Sequence, residues 1–600
     1  MRLGIDTGGT FTDLVDDDGR VVKVPSTPDD PARAVRAAVA EVTGPDTGFD
    51  VLRPALLAHG TTVATNALLE RRLGRVALVT NGGFADLIEI ARQARPALYD
   101  LHADRPAPLV PREWRHEVTG RLDAHGNELV AFDGVLPDLD DAVESVAVCL
   151  LHSDLDPVHE RAVAAAFAAR GIDAVCSVDV SPEFREYERM VTTVADAALR
   201  PVCRAYLHAL RDVADEVLVM TSAGGLVPAA DAAAHPAHLL LSGPAGGVQA
   251  AAAVAVACGF PDAVAFDMGG TSTDVCLVLG GAPAPATTHT VAGFPIRLPA
   301  LAVHTIGAGG GSIAAVDPGG ALTVGPRSAG AQPGPACYGL GGTEPTVTDA
   351  DLVLGRIPAD HPLPGLGPLD LDAARAALTR AGVTAAGVVA VVDAAMERAV
   401  RAVTVEQGVD PRQLALVAFG GAGPLHACAV ADALGMRTVI VPARAGVFSA
   451  VGLVGSPRRR ELVRSWNDAG DPTAALVELA ARARTAVGDA VDPLDTVVET
   501  FVDCRYRGQS HEITVPTIAA FPAAHARHNG YTRDGVAVEV IALRARAGRP
   551  APLLLTELPA PAREVVTGPV VAAEADCTLW VPEGWTARPG PTGAWVVTRR

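Results

Sequence analysis

Apolar residues fall into short blocks separated by polar or glycine-rich tips. The runs Ala263–Phe266 and Val275–Leu279 flank Asp267-Met-Gly-Gly-Thr-Ser-Thr-Asp274, which predicts two strands joined by a tight hairpin. The same pattern, Asp-x-Gly-Gly-Thr-x-Thr-Asp, follows the first apolar run and occupies residues 6–13. Helical spacing appears over Ala32–Val42, introduced by Asp30-Pro31, and again over His159–Arg170 and Val388–Gly408. Val146–His152, Ala174–Val178 and Leu414–Phe419 predict strands, and Ser181-Pro182 predicts the start of a long helix reaching Leu210. Past Pro457 the runs Thr496–Arg505, Ile513–Pro516, Val536–Leu543 and Val596-Val597 predict a mostly β region. The expected architecture is α/β, with a lobe over 1–180, a second over 181–456 and a C-terminal, mostly β domain over 457–600.

Composition narrows the class. At 600 residues with 49% apolar and 20% charged side chains, the chain can bury a large core. A net charge of −20 argues against nucleic acid or an anionic membrane as a partner. The 9 cysteines show no C-x-x-C spacing, so a reduced, cytoplasmic setting is expected. The first residues open directly on a strand rather than a signal peptide, and apolar helical stretches such as Gln249–Cys258 are too short to span a bilayer. Lys23 is the only lysine, so a lysine of the Walker type is not expected, and nucleotide charge would fall to metal, backbone and arginine.

Glycine at a hairpin tip leaves backbone N–H groups approachable, threonine hydroxyls add donors, and aspartates at the strand ends suit a divalent cation or its waters. Two such hairpins a domain's length apart resemble the actin, sugar-kinase and heat-shock-chaperone superfamily, whose lobes each supply one hairpin to a shared nucleotide. The cluster His304-Thr-Ile-Gly-Ala-Gly-Gly-Gly-Ser312 lets Gly309, Gly310 and Gly311 approach a ligand. Gly420, Gly421 and Gly423 form a strand-to-helix turn suited to a ribose or adenine face. His59-Gly-Thr-Thr-Val-Ala-Thr-Asn66 reads as a strand end followed by a helix whose first turn exposes threonines. His304, Cys337 and Asp349 would make a zinc site if the fold gathered them.

The segments Asp6–Asp13, His59–Arg71, Ser181–Arg189, Leu241–Val248, Asp267–Asp274, His304–Ser312, Pro333–Gly339 and Phe419–His426 together resemble the hydantoinase A / 5-oxoprolinase family, continued by Arg505-Tyr506-x-Gly508-Gln509. The pattern fades around Gly568-Pro569. The resemblance implies an actin-like ATPase core, ATP and Mg²⁺ as cofactors, and a carbonyl activated by phosphorylation. It implies a small cyclic amide or ketone as substrate and a separate hydantoinase B-type subunit in a homo- or hetero-oligomer. Asp6 and Asp267 would then orient Mg²⁺. Gly8, Gly9, Thr10, Thr12, Gly269, Gly270, Thr271 and Thr273 would hold phosphates. Asp13 or Asp274 would serve as acid/base, and His59, Thr61, Thr62 and Asn66 would face the substrate carbonyl. An ATP-using carboxylase subunit and a non-catalytic ATP switch share the same parts.

Overall fold

A computed structural model describes the chain except residues 28, 45–52, 101, 361–366, 468–469 and 489–494. Two large mixed sheets organise it. The first has ten strands, ordered Ile513–Val515, Val497–Tyr506, Val538–Arg549, Arg458–Ser465, Leu226–Pro228, Glu216–Met220, Leu56–Thr61, Arg2–Thr7, Phe11–Asp16 and Val21–Pro25. The second has nine, ordered Ala282–Pro283, Thr273–Leu279, Ala263–Met268, Ala415–Phe419, Thr438–Val441, Trp595–Arg599, Trp585–Pro589 and Val566–Thr567, with Val303–Ile306 also paired to Thr273–Leu279.

The sheets repeat one plan. In each, an antiparallel hairpin is followed by a strand parallel to its first arm: Arg2–Thr7 pairs with Phe11–Asp16 and then Leu56–Thr61. Ala263–Met268 likewise pairs with Thr273–Leu279 and then Ala415–Phe419. The inner strands are buried along their whole length, as expected for strands covered on both faces. A smaller, all-parallel sheet of Ala174–Cys176, Ser145–Val148, Val76–Asn81 and Arg115–Val118 has its own core around Phe167.

Small residues join the halves. Helix Phe448–Val454 packs on helix Gly243–Ala257, and a Cβ on Gly452 would lie 2.0 Å from the Gly246 carbonyl oxygen. The same helix covers the first hairpin, where a Cβ on Gly4 would lie 2.2 Å from the Ala450 carbonyl oxygen. Without side chains at these crossings, one short helix can lie beneath both sheets.

The fold differs from expectation in three places. Residues beyond 457 do not form a separate β domain: strands up to Arg549 extend the first sheet, and Val566–Thr567, Trp585–Pro589 and Trp595–Arg599 extend the second, while Val570–Ala573 and Thr578–Val581 pair with each other. Strands Glu216–Met220 and Leu226–Pro228, assigned by position to the second lobe, also lie in the first sheet. The long helix begins at Glu186 rather than Ser181. Ser181 Oγ donates to the Arg297 carbonyl, and the buried Glu183 carboxylate binds Arg297 at 2.7 Å and Arg544 at 3.2 Å. Arg185, at φ 81°, turns its guanidinium to Glu512. These bonds hold 181–185 out of the helix. Among the described residues, no single helix is long and apolar enough to cross a membrane.

Candidate active site

Strand register places the carboxylates. Asp6 lies opposite Asp13, and Asp267 lies opposite Asp274. Directly opposed residues share one face of an antiparallel pair, so each hairpin presents two carboxylates side by side. Gly60 neighbours Asp6, and a Cβ there would lie 2.8 Å from Asp6 Oδ1. Gly420, at φ +79°, does the same beside Asp267, where a Cβ would lie 2.4 Å from Oδ1. Bare backbone flanks both first aspartates.

The hairpins act on one another electrostatically. Burial, followed by repulsion from Asp13, pushes Asp6 up to about 7 despite the opposing pull of Lys23. Burial pushes Asp267 up to about 8, helped by Asp274 and then by Asp6, with Asp13 adding to it across the cleft. Asp274 rises to about 6 through burial, against a hydrogen bond from Thr305, and Asp13 also rises through burial against Lys23. Four carboxylates therefore share one cleft, and among the described residues only Lys23 forms an ion pair with any of them. This excess of negative charge suits a hydrated divalent cation.

The tips suit phosphate. At Gly9 and Gly270 a Cβ would meet nothing within 4 Å. Among the described residues, the N–H groups of Gly9, Thr10, Gly270 and Thr271 have no acceptor, whereas those of Gly8 and Gly269 close the turns onto Phe11 and Ser272. Gly421 is also open, while the N–H of Ala422 donates to the Met268 carbonyl and Gly423 packs under the Ala263–Met268 strand. Gly309–Gly311 back the second hairpin: Gly310 N–H donates to the Gly269 carbonyl at 3.0 Å and Gly311 N–H to that of Gly270 at 2.7 Å.

Several expected residues stand elsewhere. Alternation along a strand turns Thr12 and Thr273 to the opposite face from Asp13 and Asp274. Both are buried, with Thr12 Oγ1 3.1 Å from Ser26 Oγ and Thr273 Oγ1 donating to the Ala308 carbonyl. Their hydroxyls are thus not at the tips. His59 is fully enclosed, with Nδ1 at 3.1 Å from the Ile5 carbonyl and Nε2 at 2.6 Å from the Tyr206 hydroxyl. Burial lowers it to about 4, so it is a neutral brace behind the first hairpin rather than a group facing a carbonyl. Thr61 ends its strand buried, and the helix begins only at Val63. Thr62 Oγ1 bonds the Thr7 carbonyl at 3.3 Å and receives Asn66 Nδ2 at 3.3 Å, so this pair flanks the hairpin.

The zinc constellation does not form. His304 is exposed, while the Asp349 carboxylate is buried and accepts from the N–H groups of Ala336, Cys337 and Thr346 and from the Thr346 hydroxyl. A carboxylate so occupied caps its helix and closes the Pro333–Gly339 loop.

Two participants were missed, together with a buried charge on the helix that Gly423 begins. Lys23 Nζ is 2.5 Å from Asp13 Oδ1. Thr305 Oγ1 donates to Asp274 at 2.5 Å. His426 lies buried three residues past Gly423, with Nδ1 2.7 Å from Asp393 and Nε2 3.2 Å from Asp351. Burial opposes its charge, but Asp351 and then Asp393 outweigh that and raise it to about 10. Lys23 was legible as the residue facing Asp13 on the next strand; His426 depended on tertiary packing.

The paired hairpins bring two glycine-rich tips and four carboxylates together from two different sheets. Comparison with known families agrees at the level of the chain. The Hydantoinase/oxoprolinase model matches residues 189–461, and the Hydantoinase/oxoprolinase N-terminal region matches residues 2–171. The chain belongs to the hydantoinase/oxoprolinase family. It is 34% identical to the caprolactamase subunit alpha of Pseudomonas jessenii, over 100% of this chain and 99% of that one. It is 37% identical to 5-oxoprolinase 1 of Arabidopsis thaliana, over 76% of this chain but 41% of that longer protein. The crystal structure of the ATP-dependent caprolactamase from Pseudomonas jessenii superposes with a TM-score of 0.86 at 30% identity, covering 100% of both chains. Similarity thus runs through the C-terminal region, where the short motifs fade.

Proposed function

We propose that this chain is the ATP-using subunit of an enzyme that opens a cyclic amide, built on an actin-like core. The observation that carries the proposal is the meeting of two glycine-tipped hairpins and four carboxylates in one cleft. Full-length similarity to a caprolactamase alpha subunit supports the amide class. ATP with Mg²⁺ would supply the phosphoryl group that activates the carbonyl oxygen.

The chain's own residues have separable tasks. Gly9, Thr10, Gly270 and Thr271 would hold phosphate oxygens through their unengaged N–H groups. Asp6 and Asp267 would hold the hydrated metal. Asp13 or Asp274 would accept or return a proton at the reacting oxygen. Thr62 and Asn66, beside the first hairpin, would orient the acceptor. Gly421 would leave room for the nucleoside, with Ala422 and Gly423 fixing its loop. Gly309–Gly311 act as a support that fixes the tip of the second hairpin. Catalysis on this plan is mainly positioning and charge neutralisation, completed by exclusion of water.

The test is ATP consumption across a panel of lactams, hydantoins, 5-oxoproline and small ketones, with and without a B-type subunit. A cyclic amide should stimulate ATP turnover, weakly with the isolated chain and at full rate with the partner. With ¹⁸O in the amide carbonyl, the label should appear in inorganic phosphate. Stimulation by a ketone only when bicarbonate is present would support a carboxylase instead. ATP consumption unaffected by any acceptor or partner would support a switch.

A further inference from the structure

The two hairpins match in their tips and paired aspartates but differ on the third strand. In the first sheet, Asp13 faces Lys23 on Val21–Pro25; in the second, Asp274 faces Thr305 on Val303–Ile306. Two rows therefore run across equivalent strands. One is Gly60, Asp6, Asp13 and Lys23, and the other is Phe419, Asp267, Asp274 and Thr305. In both, the third-strand side chain bonds its aspartate at 2.5 Å. Equivalent places thus hold an ammonium in one lobe and a hydroxyl in the other.

Lys23 is the only lysine in the chain. Its side chain is 18% exposed, as is that of Asp13, and Nζ stands 5.1 Å from the centre of the Phe11 ring. The ammonium is thereby held at the cleft beside Asp13. It is the only cation ion-paired there among the described residues. Within a triphosphate, the terminal group carries the most charge and competes best with a carboxylate for a compact ammonium.

Resting on the nucleotide assignment above, we propose that Lys23 contacts the terminal phosphate of bound ATP. The first lobe would then hold the phosphoryl group that is transferred, and the second would hold the part of the nucleotide that remains. The asymmetry of the third-strand residues, rather than the shared hairpin pattern, would set the direction of the nucleotide in the cleft.

A single lysine makes the test selective. An ATP analogue carrying an acyl group on its terminal phosphate transfers that group to a nearby amine and releases ATP. In the full chain the only amines are Lys23 and the N-terminus. Peptide mass spectrometry should find the acyl group on Lys23, suppressed by excess ATP and little affected by AMP. Label confined to the N-terminus, or Lys23 label indifferent to ATP, would overturn the proposal. In parallel, K23M should weaken ATP binding roughly 10- to 100-fold, the scale of one charge-assisted bond, and ADP binding by less than about 3-fold. Equal losses for ATP and ADP would also overturn it. Wild-type protein that binds no nucleotide by calorimetry rejects the nucleotide assignment; wild-type protein that binds ATP but leaves Lys23 unlabelled rejects only the role of Lys23.

Discussion

Gly9→Val separates binding from folding. A Cβ at Gly9 meets nothing within 4 Å, and the residue has no positive φ. The fold should therefore tolerate valine within about 0.5 kcal/mol. The branched side chain would project where a phosphate must approach the Gly9 and Thr10 N–H groups, which have no acceptor among the described residues. Loss of two charge-assisted hydrogen bonds, at about 1.5–3 kcal/mol each, weakens ATP binding by roughly two to four decades. Gly420→Ala is the contrasting control. Its φ of +79° costs an alanine about 1–2 kcal/mol, and its Cβ would also sit 2.4 Å from both Asp267 Oδ1 and the Met268 carbonyl oxygen. Titration calorimetry with MgATP, beside urea denaturation without ligand, reads both quantities. Gly9→Val should keep its urea midpoint and lose ATP; Gly420→Ala should lose stability. Parental ATP affinity in Gly9→Val would refute the assignment of the first hairpin to phosphate.

Asp267→Asn keeps the shape of the site but removes a charge, so Mg²⁺-dependent turnover should fall by roughly two to four decades, much more than ATP affinity. Unchanged turnover at saturating Mg²⁺ would move the metal role elsewhere. Because Asp6 and Asp267 are raised from 3.8 to about 7 and about 8, the fold prefers their protonated forms. Their contribution to stability is full below about pH 4 and is lost as pH rises through 7 and 8. Thermal melts of metal-free protein should therefore decline across that interval and Mg²⁺ should flatten the decline; a slope unaltered by Mg²⁺ would argue against a cation among these carboxylates. His426→Leu leaves Asp351 and Asp393 without their shared cation, which should cost about 3–5 kcal/mol in urea unfolding; an unchanged midpoint would show that the carboxylates tolerate its loss.

The hairpins were legible because their determinants are local. Short apolar runs, their side chains alternating between the two faces, specify the arms, and the Gly-Gly pair with flanking threonines specifies the tip. The same alternation, carried one residue further, places Thr12 and Thr273 on the face away from the aspartates. His59 read as a site residue because it stands at a strand end, but its burial depends on Tyr206, from a helix far along the chain. Val497–Tyr506, Ile513–Val515 and Val538–Arg549 were visible singly, though Arg458–Ser465 drew no prediction. Their division was not, because Arg458–Ser465 finds its partner in Val538–Arg549 while Trp595–Arg599 settles beside Thr438–Val441. No local pattern distinguishes a strand that founds a new sheet from one that lengthens an old one. The long helix shows the converse: Ser181-Pro182 has the right residues for a cap, and ion pairing of Glu183 with Arg297 and Arg544 overrides it.

In the proposed function, two hairpins from different sheets serve a single nucleotide. Calorimetric stoichiometry of MgATP binding, in the parent chain and in Gly9→Val and Gly270→Val separately, tests it most directly. One ATP should bind per parent chain, and either variant should lose that one site. Two ATP per chain, with each variant losing one and keeping the other, would contradict it.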